Sequence, residues 1–200
     1  KSLFLRPHLR EEDHILDGGR IVYRAPTQEA IDYYMSLGFK NSRERFWTEE
    51  EIPEDSAPFY PIAMRVKNSR NQIVDLVQST EPITVEIEYR LDQPIQGLRV
   101  GMYLRTMRGI YVFTAFDTDD GEQYEKKAVR QPGHFISRCV IPGDLLNEGR
   151  YALGMNASTY RVKRYFQDLR ALTFNVDGIG APGKQWGGNR RGAIGPRLDW

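Results

Sequence analysis

Residue types capable of chemistry are scattered along this chain, and most of them fail on spacing. Gly178-x-Gly180-x-x-Gly183 has the spacing of a dinucleotide-binding loop, and Gly178-x-x-x-x-Gly183-Lys184 comes within one residue of a phosphate-binding loop. Both chemistries need a helix N-terminus whose free N–H groups hold the phosphate. Gln185-Trp186-Gly187-Gly188-Asn189 cannot supply that helix, and Gln185 stands where a Ser or Thr must bind Mg²⁺. The stretch is read as a flexible glycine-rich tail. Asp117-Thr118-Asp119-Asp120-Gly121-Glu122 approximates a calcium loop, but its carboxylates are one residue short and no Glu falls at the twelfth position. A solvated hairpin loop is expected there. His8, His14 and His134 have no His or Cys at ligand spacing, so neither a metal nor a cofactor site is expected. Cys139 lies in a strand-like run and reads as a buried, inert thiol. Asn156-Ala157-Ser158 is a glycosylation sequon by pattern only. Glu86 and Glu88 share one strand face about 7 Å apart. That distance would suit a glycosidase pair, although two surface glutamates on an exposed strand are the commoner case.

The stronger signal is a face rather than a motif. In Gly97–Asp117, Leu98, Val100, Met102 and Leu104 alternate with Arg99, Gly101, Tyr103 and Arg105, the pattern of a half-buried strand. Met107-Arg108-Gly109 turns the chain, and Ile110, Val112, Thr114 and Phe116 are expected to carry the inward parity back. Pairing Thr106 with Ile110 sets Leu104 opposite Val112 inside, Tyr103 opposite Phe113 outside and Gly101 opposite Ala115 outside. If strands at 151–157 and 171–176 join the same sheet, the outer face gathers Arg99, Tyr103, Arg105, Tyr111, Phe113 and Asn156 around Gly101, Ala115, Ala152 and Gly154. Such a face is a shallow groove with aromatic platforms. Sugar rings stack their C–H faces on aromatics, and Arg and Asn reach their hydroxyls. Alternatively, residues 40–58 or the C-terminal tail cover the face.

Around the hairpin, the elements are short strands. Leu16-Asp17-Gly18-Gly19-Arg20-Ile21 reads as two strands about a turn, and 27–35 as a helix with Thr27 as N-cap, closed by Gly38. This segment has too little apolar surface to fold alone. Five carboxylates and two prolines in Thr48–Pro58 mark residues 39–58 as a linker, with Phe46 and Trp47 as docking exceptions. From residue 59 to 177, alternating runs separated by turn signals, among them Ile62–Lys67, Ile83–Tyr89, Phe135–Ile141 and Tyr151–Ala157, predict an all-β, immunoglobulin-like antiparallel β-sandwich. The tail, 178–200, has no periodicity, and its terminal Trp200 is expected to pack on a neighbour.

The totals narrow the function classes. Lys+Arg 28 against Asp+Glu 27 leaves a net charge of +1, which is no footprint of a nucleic-acid binder. No apolar run is long enough to span a bilayer, Lys1-Ser2-Leu3-Phe4-Leu5 is not expected to be a secretory leader because it lacks an apolar core of adequate length, and the single cysteine fits a reducing compartment.

The order of these features resembles the C-terminal part of the ATPase subunit of ABC transporters that export O-antigen polysaccharides, the Wzt type. Leu16–Tyr23 followed by Thr27-Gln28-Glu29-Ala30-Ile31-Asp32-Tyr33-Tyr34 is similar to the way ABC nucleotide-binding domains end. Val100-Gly101-Met102, Gly109-x-x-Val112-Phe113, Ile141-Pro142-x-x-Leu145-Leu146-x-x-Gly149-x-Tyr151, Phe174-x-Val176 and Gly192-x-Ile194 running to Trp200 continue the resemblance over nearly the whole chain. It implies residues 1–38 as the end of an ATPase domain without its nucleotide motifs, and 59–177 as a non-catalytic carbohydrate-binding sandwich. It further implies an O-antigen-type polysaccharide as ligand, bound through its non-reducing end. The implied partners are the chain's own ATPase domain, the transporter's membrane subunit and a second copy in a homodimer, and the implied place is cytoplasmic, peripheral to the inner membrane, in lipopolysaccharide biosynthesis. The alternative is a dimerising, structural module with no direct hold on the glycan.

Overall fold

Alternation of apolar and polar side chains from Phe59 onward builds two sheets that share one core. The computed structural model describes residues 2–4, 13–27, 30, 33–34, 43–181, 183 and 191–198. His8, Gly38, Trp200 and the 184–190 stretch lie outside the described residues. The chain divides into two compact units, Lys1–Lys40 and Asn41–Trp200.

In the first unit, β1 (Ser2–Phe4), β2 (Asp13–Asp17) and β3 (Arg20–Ala25) form an antiparallel sheet in that order. Gly18 and Gly19 turn β2 into β3, as their sequence suggests. Thr27, Ala30, Tyr33 and Tyr34 have helical backbone, and the Tyr33 ring stacks on Tyr23 at 4.1 Å between centroids.

The second unit is the sandwich. One sheet holds β12 (Gly133–Ile141), β7 (Ile83–Leu91), β5 (Phe59–Lys67) and β4 (Glu44–Phe46) in the order β12-β7-β5-β4. The other holds β10 (Tyr111–Phe116), β9 (Leu98–Thr106), β13 (Gly149–Thr159), β14 (Lys163–Asp177) and β6 (Leu76–Gln78) in the order β10-β9-β13-β14-β6. A two-stranded ribbon of β8 (Ile95–Gln96) and β11 (Val129–Arg130) bridges their ends. The inner faces meet in a core containing Met64, Val85, Ile87, Leu98, Met102, Leu104, Leu153, Leu172 and Phe174. The all-β expectation holds, with one exception to its antiparallel pairing among the described strands: β6 runs parallel to β14.

Three local expectations change. Residues 43–58 are built onto the sandwich rather than strung out as a spacer. β4 pairs with β5, Trp47 is buried against Phe166, its Nε1 donates to Asp168 at 3.0 Å, and Ser56 Oγ donates to the Tyr165 carbonyl at 2.8 Å. The acidic composition set the expectation, but the Trp47 ring outweighs it, because burying one large ring is worth about 2–3 kcal/mol, while Phe46 stays half exposed. The polar run after Tyr160 belongs to β14, a single fifteen-residue strand entered through Arg161 in the left-handed region. The 117–128 loop contains a short helix, Gly121–Lys126, whose first turn is capped by Asp120.

The described part of the tail is tied down. Ile194 bridges Leu146, the Asn147 amide donates to the Gly192 carbonyl at 2.7 Å, and the Tyr151 hydroxyl lies 2.8 Å from both the Asn147 and Ala193 carbonyl oxygens.

Candidate functional site

The outer face of the five-stranded sheet is assembled by the pairing of β9 with β13, which sets Arg99 opposite Ser158, Gly101 opposite Asn156, Tyr103 opposite Gly154 and Arg105 opposite Ala152. Partners directly across a sheet share a face. Arg99, Tyr103, Arg105 and Asn156 are therefore brought together as expected.

The hairpin departs from expectation in its register. Gly109 takes a φ of 81° and Thr106 pairs with Ile110 as predicted. Tyr111 is opposite Arg105, but a bulge follows, so that Phe113 faces Leu104, Thr114 faces Tyr103, Ala115 faces Met102 and Phe116 faces Gly101. One extra residue inverts the rest of the strand. Phe113 thus packs against the core, and Phe116 takes the outward place assigned to it. Strict alternation gave no sign of this, because Val112, Phe113 and Phe116 are all apolar enough to point either way.

The bulge also bends β10 over the face. Beyond it, β14 bulges opposite Gly154, where a Cβ would lie 2.7 Å from the Asp168 carbonyl oxygen. Two flanking strands therefore close in above two glycines, and the floor between them, Ala152, Gly154, Asn156 and Ser158, is buried. Asn156 is consequently no free hydrogen-bonding arm. It is 5% exposed and its Oδ1 accepts from Ser158 Oγ at 2.9 Å.

Above this floor lies a layer of aromatic and cationic side chains. The Arg99 guanidinium carbon is 4.4 Å from the Phe116 ring centroid and 4.9 Å from that of Tyr160, while its Nε is buried without a hydrogen-bond partner. Tyr103 meets Tyr111 edge-on at 5.6 Å and its hydroxyl accepts from Gln167 Nε2 at 3.2 Å; Arg164 in turn donates to Gln167 Oε1. Arg105 stacks on Tyr111 at 5.0 Å and reaches the Gly109 and Leu169 carbonyls. At the far end Arg150 donates to Thr173 Oγ1, and burial pushes its guanidinium below its ordinary pKa. Tyr111 and Tyr160 remain more than half exposed. Phe116, Tyr160 and Gln167 are members that sequence reasoning missed. Only the bulge reveals the first, and the other two sit in and beyond a turn whose strand pairing was not legible.

Among the described residues the face is open to solvent at its rim, where Tyr111 and Tyr160 are exposed. Neither of the segments that could have covered it makes its described contacts there: residues 43–58 hold Tyr165, Phe166 and Asp168, and the described tail holds the 145–147 turn and Tyr151.

The other chemistries dissolve into structure. Glu86 lies between Lys67 Nζ and Arg138 Nε, the latter at 2.7 Å, and Glu88 between Arg65 and His134, the latter at 2.9 Å. Burial alone would raise the Glu86 carboxyl, but its two cationic partners hold it below the usual carboxylate value. A glycosidase's acid needs the opposite shift. The three aspartates of the 117–120 stretch have separate tasks: Asp117 pairs with Arg130 at 2.8 Å, Asp119 accepts from the Phe116 N–H at 2.8 Å, and Asp120 caps the following helix.

The fold and this face define an all-β sandwich domain with a polar, aromatic sheet surface. Residues 62–188 match the Wzt C-terminal domain family, and the chain belongs to that family. Among solved structures, the crystal structure of the C-terminal domain of wzt is similar at a TM-score of 0.60 and 12% sequence identity, over 83% of this chain and 93% of that one. No curated protein matches the chain.

Proposed function

We propose that the sandwich is a non-catalytic carbohydrate-binding domain that recognises an O-antigen-type polysaccharide, through its non-reducing end, for export by an ABC transporter. Membership of the Wzt C-terminal domain family supports this reading, and one feature of the face carries it: the Arg99 guanidinium lies against Phe116 and Tyr160 with a buried, unpartnered Nε. Sugar C–H faces stack on Tyr111 and Tyr160, while Arg99, Tyr103 and Arg105 reach hydroxyls. Asn156 supports the floor and Phe113 stays in the core. Residues 1–38 are then the end of the chain's own ATPase domain, and the domain works as a homodimer with the transporter's membrane subunit on the cytoplasmic side of the inner membrane.

A shallow, wet face binds weakly, and a millimolar Kd corresponds to only about 4 kcal/mol. Titration of the ¹⁵N-labelled chain with surface polysaccharide purified from the cells that make the protein tests the reading. Shifts of the Arg99, Tyr103, Arg105 and Tyr111 amides are expected; shifts confined to the four-stranded sheet, or none at all, refute it.

A further inference from the structure

The two sheets do not close along the side where β10 and β12 are their edge strands. Between them opens a cleft of about 790 Å³, roofed by the 117–131 segment. A smaller cavity of about 90 Å³ continues it inward past Gly101, Met102 and Cys139, and the two share Ala115, Phe116, Asp117, Ser137 and Arg138 as walls. The larger volume lies within the range of roughly 300–1,000 Å³ typical of small-molecule sites.

The cleft is built on a buried and rigid polar frame. Arg130, 5% exposed, pairs with Asp117, whose side chain is 7% exposed, and also contacts the Tyr89 hydroxyl and the Leu98 carbonyl. Asp117 additionally accepts from Ser137 Oγ at 2.8 Å and from the Val100 N–H at 3.1 Å. Tyr89 is stacked between Phe59 and Phe135. Arg130 Nε is buried and without a hydrogen-bond partner, although this guanidinium lines the cleft. A frame of this kind offsets the cost of its own desolvation through these hydrogen bonds. It holds the walls in place before any ligand arrives.

The lining also describes the ligand. Phe116 and Phe135 offer apolar ring surface, and exposed Gln123 and Gln131 offer planar amides at the mouth. The charged groups of the lining are all partnered: Arg130 and Lys127 by Asp117, Arg138 by Glu86 and Lys126 by Glu122, while Asp119 and Asp120 accept from the Phe116 and Gln123 N–H groups. An anion would find its cations already engaged. A neutral, hydroxylated ring of monosaccharide size fits both the aromatic walls and the amides.

We infer that this cleft is a second saccharide subsite, taking one neutral sugar unit at the sandwich edge. It rests on the carbohydrate-binding reading above and extends it, because the Phe116 residue belongs both to the outer face and to the cleft wall. A glycan lying on Tyr111 and Tyr160 can pass over this residue and turn its next unit inward.

The test is an NMR titration of the ¹⁵N-labelled full chain with the methyl α-glycosides of glucose, galactose, mannose and rhamnose, with inorganic phosphate as the anionic control, to about 50 mM, since single-sugar affinities near millimolar are expected. At least one glycoside should shift the Asp119, Gln123, Gln131 and Ile136 amides, and Gln123→Ala with Gln131→Ala should weaken that response about tenfold while leaving shifts at Arg99, Tyr103 and Tyr111 in place. Both glutamines are exposed, and an unchanged dispersion of the remaining amides verifies that the variant is folded. Shifts on the face alone overturn the cleft and leave the face reading intact. Shifts in the cleft alone uphold the subsite and overturn the face. Phosphate shifting the cleft more strongly than any glycoside overturns the neutral-sugar assignment, and no shift at either place overturns both.

Discussion

Phe116 sits directly over Gly101: a Cβ at residue 101 would lie 2.6 Å from the Phe116 ring and 2.2 Å from the neighbouring Ala115 carbonyl oxygen. This close approach lets β10 fold over the outer face, and it joins the face to the edge cleft.

Gly101→Ala should therefore be costly, because the obstructing atom is backbone and cannot swing aside. A loss of about 2–3 kcal/mol is expected from forced overpacking, read as a lower urea midpoint. Gly154→Ala meets the Asp168 carbonyl at the longer distance of 2.7 Å and should cost less.

The hairpin register predicts opposite phenotypes for two aromatics two residues apart. Phe113→Ala removes a ring packed on the core and should cost about 2 kcal/mol or more of stability, with glycan binding retained. Tyr111→Ala removes an exposed ring and should leave the unfolding midpoint nearly unchanged, yet weaken polysaccharide binding severalfold. The opposite outcome, with Phe113 needed for binding and Tyr111 for stability, would restore the unbulged register.

Asp117→Asn leaves the Arg130 guanidinium buried beside a neutral amide. Removing one partner of a buried pair costs about 3–5 kcal/mol, so this variant should be among the least stable of any single polar substitution. Equilibrium denaturation measures it, and a loss under about 1 kcal/mol would show the pair to be solvated.

The pH dependence follows from Glu86. Its carboxyl is held below the ordinary value of 4.5: burial pushes it up, and hydrogen bonds and charge from Lys67 and Arg138 push it down further. A carboxylate with a lower pKa folded than unfolded stabilises the fold fully above that ordinary value, and the contribution fades as pH falls through the folded pKa. Unfolding free energy should thus drop on acidification below about pH 4.5, and Glu86→Gln should flatten that portion of the curve while lowering the neutral-pH plateau.

Much of this protein was legible in its sequence. Alternation over Ile83–Tyr89, Leu98–Leu104 and Phe135–Ile141 marks strands because each residue's face is set locally by the period of two, and Gly109 marks its turn because few other residues take a φ of 81°. The same parity places Arg99, Tyr103 and Arg105 on the outward side. What alternation cannot carry is any relation that depends on a partner strand. The bulge after Tyr111 arises only when β10 closes on β9, and one extra residue there exchanges Phe113 for Phe116. Trp47 turns an acidic stretch into part of the sandwich by finding Phe166 and Asp168, more than a hundred residues away. The edge cleft exists because strands from different sheets, β10 and β12, stand side by side without pairing, with Asp117 and Arg130 locked between them. Local periodicity determines which way each side chain points along its own strand; long-range closure of the sheets decides which of those side chains meet.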